Sequence, residues 1–477
     1  MNILFVNHKA GYFGGVEQNI ADAARGLTAR GHVCSLAFGE STDRRAQEFL
    51  DIFAASAPCR EAGASGGALF SEIAAAWKPD VVYLHKVESV APFLAIRETP
   101  AAKDKKSKAR SGAVSSPDSA TAITSRVVAR PTAATRNPRF VRMVHDHDLC
   151  CPRRHKYFAL SGKICDKPAG LRCWFDAAFI RKGPGGLKFV PIGDKLAEMR
   201  ENHALDGIVV GSEFMLRSLV MNGFHAERIV IVPPAVDEGP SMLVIDSLAT
   251  AVSPLIDKSS PLPGPGTLWV RPGVGSTAVP TEPTLIYIGQ LIRGKGVDLL
   301  LQAAARVARP FKLYIVGDGN ARGALEKLCA LLGLNDRVEF CGWLAHESVG
   351  ALYDRARAVV VPSRWPEPFG MVGVEAMRHG RAVAAFDAGG IRDWLDHDVT
   401  GLLAPAGSIS GLATAIERLL FEPGLAERMG AAGRKAAVSR FAFERQLDAL
   451  ERVLIGDLQI PCHEPAQVGE RMVAPCV

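Results

Sequence analysis

Residues 362–376, Pro-Ser-Arg-Trp-Pro-Glu-Pro-Phe-Gly-Met-Val-Gly-Val-Glu-Ala, decide how the rest of the chain is interpreted. The run before it, Ala358–Val361, is short and β-branched, which predicts a buried parallel strand. Residues 372–379 contain good helix formers and end at Gly380, a suitable C-cap. The stretch between them is therefore a strand-to-helix loop at the carboxyl end of a strand, where open α/β sheets bind their ligands.

Two glutamates bracket this loop. Glu367 lies on the loop, and Glu375 lies about two turns further along at 3.6 residues per turn, so the carboxylates share a face if the first turn continues. The N-terminus of a helix carries free N–H groups and partial positive charge, which suits a phosphate. Together these features indicate a sugar nucleotide as ligand. They are equally compatible with two solvated glutamates on an ordinary loop.

Bulk composition is that of a globular protein with more than one core. The chain has 477 residues, of which 48% are hydrophobic and 22% charged, with a net charge of +6. This length predicts two domains. The sequence has no dense Lys/Arg block with interleaved aromatics, which excludes nucleic acid as a partner. Without a signal-peptide pattern or an apolar run of about 18 residues, we expect a cytoplasmic protein with reduced thiols.

The first part of the chain alternates strands and helices, which predicts a parallel sheet. It begins with a strand, Ile3–Val6, a glycine loop that contains Gly14 and Gly15, and a helix that stops at Gly31. Such a loop is typical of phosphate binding, but it also fits a plain strand-to-helix turn. The other predicted elements here are strands Val33–Phe38, Val81–Leu84, Phe140–Val144, Ile208–Gly211 and Ile229–Val232, and a helix over 44–54.

A second domain restarts the alternation. Arg293 and Lys295 lie in a glycine-bearing loop, 289–296, just before a predicted helix. Two cations and a helix dipole directed at one point make a diphosphate site, although a solvated turn has the same pattern. The predicted strands of this domain are Leu285–Ile288, Leu313–Val316, Val338–Phe340 and Ala382–Phe386, with a helix over 297–307.

Composition shifts divide the chain. Residues 99–137 look like a flexible surface insertion, and 239–281 form a Pro- and Gly-rich linker. We therefore predict an N-terminal domain over 1–238, a C-terminal domain over 282–440, a terminal helix over 441–455 and a tail over 456–477.

Two polar clusters follow the strand at 140–144. His145-Asp146-His147-Asp148 is compatible with metal ligands, a polar catalytic wall or a solvated loop, and His145 and His147 share a face if the strand continues. Catalysis or substrate binding is favoured because no second ligand set follows. The next cluster holds Cys150, Cys151, Cys165 and Cys173. A structural zinc site is one interpretation of these cysteines, but they match no common zinc spacing, so packed or loosely reactive thiols are the default interpretation.

Taken together, the loops resemble those of the family 4 retaining glycosyltransferases. The resemblance is strongest over residues 284–435. It rests on Gly289-x-x-x-x-Gly294-Lys-Gly296, Val316-Gly-Asp-Gly319, Pro362-Ser-x-x-x-Glu-Pro-Phe-Gly370 and Gly389-Gly390, and more weakly on Gly14-Gly-Val-Glu17 and His145-Asp146. It implies the GT-B fold, in which two Rossmann-like, doubly wound α/β domains face each other across a cleft. The terminal helix would cross back onto the N-terminal domain.

The resemblance also implies roles for individual residues. Arg293 and Lys295 would bind the donor diphosphate, and Glu375 would hold the ribose hydroxyls. Glu367 and His145 would act at the transferred sugar, with His145 near the reacting carbon. The amides of Phe369, Gly370, Met371 and Val372 would hold sugar and phosphate, Gly14 and Gly15 would close over the diphosphate, and the base would lie near residues 342–344.

The function so implied is a retaining transfer from a nucleotide sugar, without metal or other cofactor. The acceptor would be a glycan, a lipid-linked sugar or a small molecule, in cell-surface polysaccharide or glycoconjugate synthesis. The mildly basic charge is compatible with a patch that contacts anionic lipid at the inner face of a membrane, or with one that attracts an anionic sugar nucleotide. A sugar-nucleotide epimerase of the same fold and a catalytically silent binding scaffold remain as alternatives. The long insertions and the cysteine segment depart from the family pattern and leave the acceptor undefined.

Overall fold

A computed structural model describes residues 1–12, 14–42, 44–97, 137–156, 164–175, 180–183, 186–189, 191–235, 283–344 and 346–459. The predicted linker 239–281 lies outside the described residues, as do all but the last residue of the insertion 99–137 and most of the tail 456–477. Within the described part, none of the helices combines the length and apolar character needed to cross a membrane.

The N-terminal domain is built on a seven-stranded sheet in the order β3-β2-β1-β4-β5-β8-β9, whose neighbouring strands are all parallel. A two-stranded antiparallel hairpin, β6-β7, stands apart from it. The elements are β1 (Asn2–Ala10), α1 (Gly15–Ala29), β2 (Val33–Ser41), α2 (Ala46–Leu50), β3 (Ala55–Pro58), α3 (Phe70–Trp77), β4 (Val81–Leu84), α4 (Ala91–Leu94), β5 (Arg139–Val144), α5 (Arg172–Phe175), β6 (Ile180–Gly183), β7 (Gly186–Phe189), α6 (Ile192–Asn202), β8 (Gly207–Val210), α7 (Glu213–Met221) and β9 (Ile229–Ile231).

The C-terminal domain has a six-stranded parallel sheet in the order β12-β11-β10-β13-β14-β15. Its elements are β10 (Thr284–Ile288), α8 (Val297–Ala304), β11 (Lys312–Val316), α9 (Arg322–Leu331), β12 (Val338–Gly342), α10 (His346–Arg355), β13 (Ala358–Val361), α11 (Met371–Arg378), β14 (Ala382–Phe386), β15 (Gly401–Ala404), α12 (Ile409–Phe421), α13 (Leu425–Arg440) and α14 (Phe443–Ile455). Short 3₁₀ helices cover Arg60–Ala62, Ala95–Arg97, Ala226–Arg228, Arg293–Lys295 and Gly390–Asp393.

Both sheets are doubly wound, as the sequence predicts. In each, the chain adds strands outward on one side of its first strand and then continues on the other side. The order therefore reverses between β1 and β4 in one sheet and between β10 and β13 in the other. In α/β folds the ligand crevice opens at this reversal, outside the carboxyl ends of the strands.

The predicted helix over 44–54 is wrong beyond Leu50. Arg45 adopts a left-handed backbone conformation, φ 51°, and only Ala46–Leu50 is helical. Residues 55–58 form β3, a strand that the sequence analysis missed, and the Ala54 N–H already donates to the Cys34 carbonyl at 2.9 Å. Pairing with β2 therefore takes the place of helix continuation.

The last helix, α14, packs on the N-terminal domain rather than on the domain that precedes it. Its apolar side chains Leu447, Leu450, Val453 and Leu454 are buried in the same cluster as Phe5. On the exposed side, Arg30, the residue after α1, forms ion pairs with three carboxylates of this helix, at 2.5, 2.8 and 3.0 Å, those of Glu444, Asp448 and Glu451. The chain thus crosses back and ties the two domains together.

Helix α11 sits close to its neighbours because Gly373 lacks a side chain. The Trp394 side chain is fully buried, and a Cβ at position 373 would lie 1.9 Å from its ring. The same ring donates a hydrogen bond from Nε1 to the Phe369 carbonyl at 2.6 Å. The start of α11 is therefore positioned by a close-packed tryptophan.

Gly373→Ala is expected to lower the free energy of unfolding by about 1–3 kcal/mol, because overpacking a filled core costs that much. Gly323→Ala in α9 is the matched control. This exposed helical position has nothing within 4 Å of an added Cβ, and alanine there should stabilise by about 0.5–1 kcal/mol. Urea unfolding of both variants checks this, and equal shifts of the same sign would contradict the packing account.

Candidate active site

The loop after β13, residues 362–370, is fastened to the loop after β10, residues 289–296. The backbone N–H groups of Arg364 and Trp365 donate to the carbonyl of Gly294, at 2.9 and 3.1 Å. Gly294 is buried, and the Trp365 ring lies against its α-carbon side. The two loops that the sequence predicts as ligand-binding are therefore joined through their backbones.

The other side of the same loop is fastened to the turn after β14. The Glu367 N–H donates to the Ala388 carbonyl at 3.3 Å, and the Gly390 N–H donates to the Glu367 carbonyl at 2.7 Å. The Gly390 amide is thus used within the fold. Both the N–H and the carbonyl of Glu367 are therefore held by backbone hydrogen bonds.

The carboxylate of Glu367 is buried and pairs with Lys295. Lys295 Nζ donates to Glu367 Oε1 at 2.7 Å, the Ser363 hydroxyl donates to the same oxygen, and the ammonium lies 5.1 Å from the Trp365 ring centroid. Burial by itself raises the pKa of the Glu367 carboxyl, but the Lys295 charge and these hydrogen bonds outweigh burial and hold the pKa below its usual value. The side chain is therefore a carboxylate at neutral pH.

Arg293 differs from Lys295 in being exposed. It lies in the same 3₁₀ turn, yet its guanidinium forms no hydrogen bond or ion pair within the described part of the chain. The turn ends at Gly296, φ 70°, where a Cβ would lie 1.9 Å from the Pro362 carbonyl oxygen, so only glycine fits. This loop thus offers one free cation and one cation already paired.

Glu375 is held by a tyrosine. The buried Tyr353 hydroxyl donates to Glu375 Oε2 at 2.8 Å. Burial, together with this carboxylate, raises the pKa of Tyr353, which keeps the hydroxyl protonated as a donor. The contacts of Glu367 and Glu375 lead to different partners, so each carboxylate is oriented separately.

Helix α11 begins at the predicted phosphate-binding amides without a side-chain cap. Its N-cap residue, Gly370, has a left-handed backbone, φ 98°, and supplies no side chain to the first turn. Met371 and Val372 are half-buried, whereas Phe369 is buried and uses its carbonyl to hold Trp394. The first amides of an uncapped helix are suited to bind an anion.

Residues 342–344, near which the nucleotide base is predicted to lie, are at the end of β12. Gly342 has φ 74° and its carbonyl accepts from the Gly317 N–H at 2.7 Å. The next residue, Trp343, is 69% exposed. The predicted segments 317–319 and 342–344 therefore lie together at the carboxyl edge of the sheet.

In the N-terminal domain, Gly14 and Gly15 are exposed at the start of α1. A Cβ added at either position would meet nothing within 4 Å, so the chain itself does not require glycine there. Glu17, two residues further on, is buried, and burial raises the pKa of its carboxyl. The bare loop leaves open space at the carboxyl end of β1.

His145 follows β5 and pairs with a residue that the sequence analysis did not select. Its Nε2 lies 2.9 Å from Nδ1 of His85, which follows β4 in the adjacent strand. Burial, with the nearby charges of Lys86 and Arg142, lowers the pKa of His145 to about 3, so its ring is neutral at physiological pH. The sequence pattern could have indicated His85, because it follows the strand next to that of His145 and the carboxyl ends of neighbouring parallel strands meet.

The residues of the run His145–Asp148 have different partners. The extended conformation ends at Val144, so the predicted alternation does not carry through the run. Lys86 Nζ pairs with both Asp146 and Asp148, the latter at 3.0 Å. Among the described residues, no group of three His, Cys, Asp or Glu side chains is placed to hold a metal ion.

His147 instead reaches the other domain. Its Nε2 donates to the Pro366 carbonyl at 2.9 Å. The Ser212 hydroxyl, which also caps α7, donates to the Pro368 carbonyl. Both acceptors lie in the loop 362–370, so the domains touch on the loop that holds Glu367.

The cysteine cluster lines a small cavity in the N-terminal domain. Cys150, Cys151, Cys165 and Cys173 all contribute to its wall. Cys150 is buried, and burial raises the pKa of its thiol to about 11. Such a thiol is protonated at neutral pH and is a poor nucleophile.

Sequence comparison places a known family on the C-terminal domain. Residues 275–436 match the family model described as glycosyl transferases group 1. The alpha-D-kanosaminyltransferase of Streptomyces kanamyceticus is 34% identical over 172 residues, which are 35% of this chain and 44% of that protein. The lipopolysaccharide core biosynthesis glycosyltransferase LpsD of Rhizobium meliloti is 34% identical over 165 residues, 35% of this chain and 47% of that protein. The match thus spans about half the length of these relatives.

Solved structures extend the similarity to the fold of both domains. Anabaena Alr3699/HepE in complex with UDP and glucose superposes with a TM-score of 0.62 at 18% identity, over 95% of this chain and 99% of that one. The sucrose-phosphate synthase of Thermosynechococcus elongatus gives a TM-score of 0.61 at 18% identity, over 95% and 98% of the two chains. The chain has the two-domain GT-B fold, and residues 275–436 of its C-terminal domain are similar to the glycosyl transferases of group 1.

Proposed function

We propose that this protein is a glycosyltransferase that moves a sugar from a nucleotide-sugar donor to an acceptor. The observation that carries the proposal is the junction of loops 289–296 and 362–370. It brings the exposed Arg293, the paired Lys295 and the uncapped start of α11 to the point where the sheet order reverses. Such a collection of donors and positive charge fits a diphosphate.

The Lys295–Glu367 pair gives the two residues linked roles. When a diphosphate approaches, its oxygens compete with Glu367 for the Lys295 ammonium. The carboxylate is then available to accept hydrogen bonds from hydroxyls of the transferred sugar. Glu375, oriented by Tyr353, is the corresponding acceptor for the ribose hydroxyls.

The transfer itself needs stabilisation of a leaving nucleoside diphosphate. The bond between the anomeric carbon and the donor phosphate oxygen breaks, and a bond from that carbon to the acceptor oxygen forms on the same face. The acceptor proton passes to the departing phosphate oxygen, which retains the configuration and requires no protein base. Arg293, Lys295 and the amides of Met371 and Val372 stabilise the negative charge that develops.

The N-terminal domain supplies the opposite wall. Gly14 and Gly15 leave open space at the end of β1, and the neutral His145 offers a ring nitrogen near the sugar. The acceptor would be a glycan, a lipid-linked sugar or a small molecule. The similarity to LpsD supports glycoconjugate synthesis, and contact with the inner face of a membrane would follow for a lipid-linked acceptor.

Nucleotide binding is the first test of this function. Because a ligand that binds only the folded state raises Tm, one of UDP, GDP, ADP and CMP, or its sugar derivative, is expected to raise the Tm of the wild type. Glu375→Ala is expected to lose that shift, since the ribose acceptor is gone. Thermal-shift measurements with these ligands on the wild type and on Glu375→Ala test both expectations. No shift with any of these ligands would favour a binding scaffold, and an epimerised sugar formed without acceptor would favour an epimerase.

Variants of the Lys295–Glu367 ion pair distinguish an effect on donor binding from an effect on transfer. Lys295→Met is expected to weaken nucleoside diphosphate binding about 10- to 100-fold, the loss of one charge-assisted hydrogen bond of about 1.5–3 kcal/mol. Glu367→Gln is expected to bind the nucleotide at least as tightly, because no carboxylate competes for Lys295, while transfer falls by a similar factor or more. Calorimetry and turnover measure both effects.

Lys312→Met is the control for these variants. Lys312 is exposed at the start of β11, where its ammonium donates to the Asp336 carbonyl. Its removal should change neither binding nor turnover. Equal weakening of nucleotide binding in the Lys295 and Glu367 variants would contradict the competition between diphosphate and carboxylate.

Transfer is expected to persist in excess EDTA, because side-chain cations and helix amides provide the positive charge that a metal would otherwise supply. Turnover of the wild type with and without the chelator measures this. Activity that disappears in EDTA and returns with a divalent cation would contradict metal independence.

A further inference from the structure

His85 and His145 meet because their strands are neighbours. β4 and β5 run parallel, and each histidine is the first residue after its strand. The bonded nitrogens, Nδ1 of His85 and Nε2 of His145, are 2.9 Å apart, whereas the ring centroids are 5.2 Å apart at an interplanar angle of 23°. The rings therefore meet edge to edge through one N–H···N hydrogen bond.

The ring of His85 is fixed by its surroundings. The residue is 1% exposed. Its ring stacks on the Phe5 ring, with the centroids 5.8 Å apart and an interplanar angle of 9°, and forms an edge contact with the Tyr83 ring, with the centroids 4.4 Å apart. Its backbone N–H donates to the Val6 carbonyl at 2.9 Å. With both backbone and ring held, His85 presents one nitrogen to His145 and buries the other.

Both rings are neutral, so the hydrogen bond contains a single proton. Burial lowers the pKa of His85 well below its ordinary value, and the pKa of His145 is lowered to about 3. Two arrangements are then available. Either His85 Nδ1–H donates to His145, or His145 Nε2–H donates to His85 and the proton of His85 sits on its other nitrogen.

The environment of His85 Nε2 decides between them. This atom is buried and has no hydrogen-bond partner in the described part of the chain. The second arrangement would place an N–H there, and an orphaned buried N–H is rarer in proteins than an under-used acceptor. The first arrangement places an unprotonated nitrogen beside the aromatic rings and moves the remaining N–H of His145 to Nδ1, on a side chain that is only half-buried.

We propose that His85 donates its Nδ1–H to His145 Nε2 and so fixes His145 in the tautomer that presents Nδ1–H to the cleft. His85 is thus a positioning residue that acts through His145. The inference deepens the proposed function and rests on it in one respect: the acceptor of the Nδ1–H is an oxygen of the bound nucleotide sugar. The tautomer itself is a property of the free protein.

The tautomer is measurable without substrate. Long-range ¹H–¹⁵N correlation spectra of the full chain report which ring nitrogen of each histidine carries a proton, and His145→Gln identifies the His145 signals among those of 12 histidines. The expected result is a protonated Nδ1 and a bare Nε2 on His145. A proton on His145 Nε2 overturns the proposal.

Two variants at position 85 separate hydrogen bonding from packing. His85→Asn places an amide nitrogen near the position of Nδ1 and keeps the donor, whereas His85→Phe keeps an aromatic ring against Phe5 but has no donor. His85→Phe should lower kcat about 10- to 100-fold, the range seen when a metal-bound histidine loses the outer partner that orients it. His85→Asn should retain most activity, and binding of the nucleoside diphosphate alone should be unchanged in both.

Tyr83→Phe is the matched control. It keeps the ring that packs against His85 and should leave turnover and the tautomer as in the wild type. If the Asn and Phe variants lose the same activity, the hydrogen bond is not what positions His145. If the wild type turns over no nucleotide sugar, the proposed function fails, and the spectra still decide the tautomer.

Discussion

The buried carboxylate of Glu367 is the constraint on which the C-terminal domain depends. A buried charge without a partner is so costly that removing one member of such a pair typically destabilises a protein by about 3–5 kcal/mol. The partner here, Lys295, lies 72 residues earlier, so the two loops must be held at a fixed distance. The backbone bonds to Gly294 provide that distance, and Gly296 removes the side chain that would prevent it.

The same pair limits the unpaired positive charge at the proposed diphosphate site. Within loop 289–296, Lys295 is neutralised by Glu367, and the Arg293 guanidinium has no ion-pair partner among the described residues. In the proposed function, an entering diphosphate would exchange one anionic partner of Lys295 for another. That exchange would leave a carboxylate facing the sugar, so occupancy of the proposed phosphate site would change the polarity of the proposed sugar site.

Local sequence patterns predicted the strands well and the long-range pairs poorly. Val81–Leu84, Ala358–Val361 and Ala382–Phe386 have the predicted bounds because each is an apolar run between turn residues. The helix over 44–54 failed because pairing with β2 overrode helix propensity. The loops 289–296 and 362–370 could be named from their glycines and charges, but nothing local indicates that Lys295 faces Glu367. His85 has no local signal either, and only the adjacency of β4 and β5 in a parallel sheet points to it.

Charge is divided unequally between the two walls of the cleft. The C-terminal wall carries the cations, whereas in the N-terminal wall Lys86 is paired with Asp146 and Asp148. His145 is kept neutral by burial and by this lysine and Arg142, so its ring is a hydrogen-bonding group without charge. In the proposed transfer, a neutral donor orients the sugar at the reacting carbon, while the charge that develops on the leaving diphosphate is met from the other wall. Orientation and charge stabilisation would then be separate contributions to the rate, one from each domain.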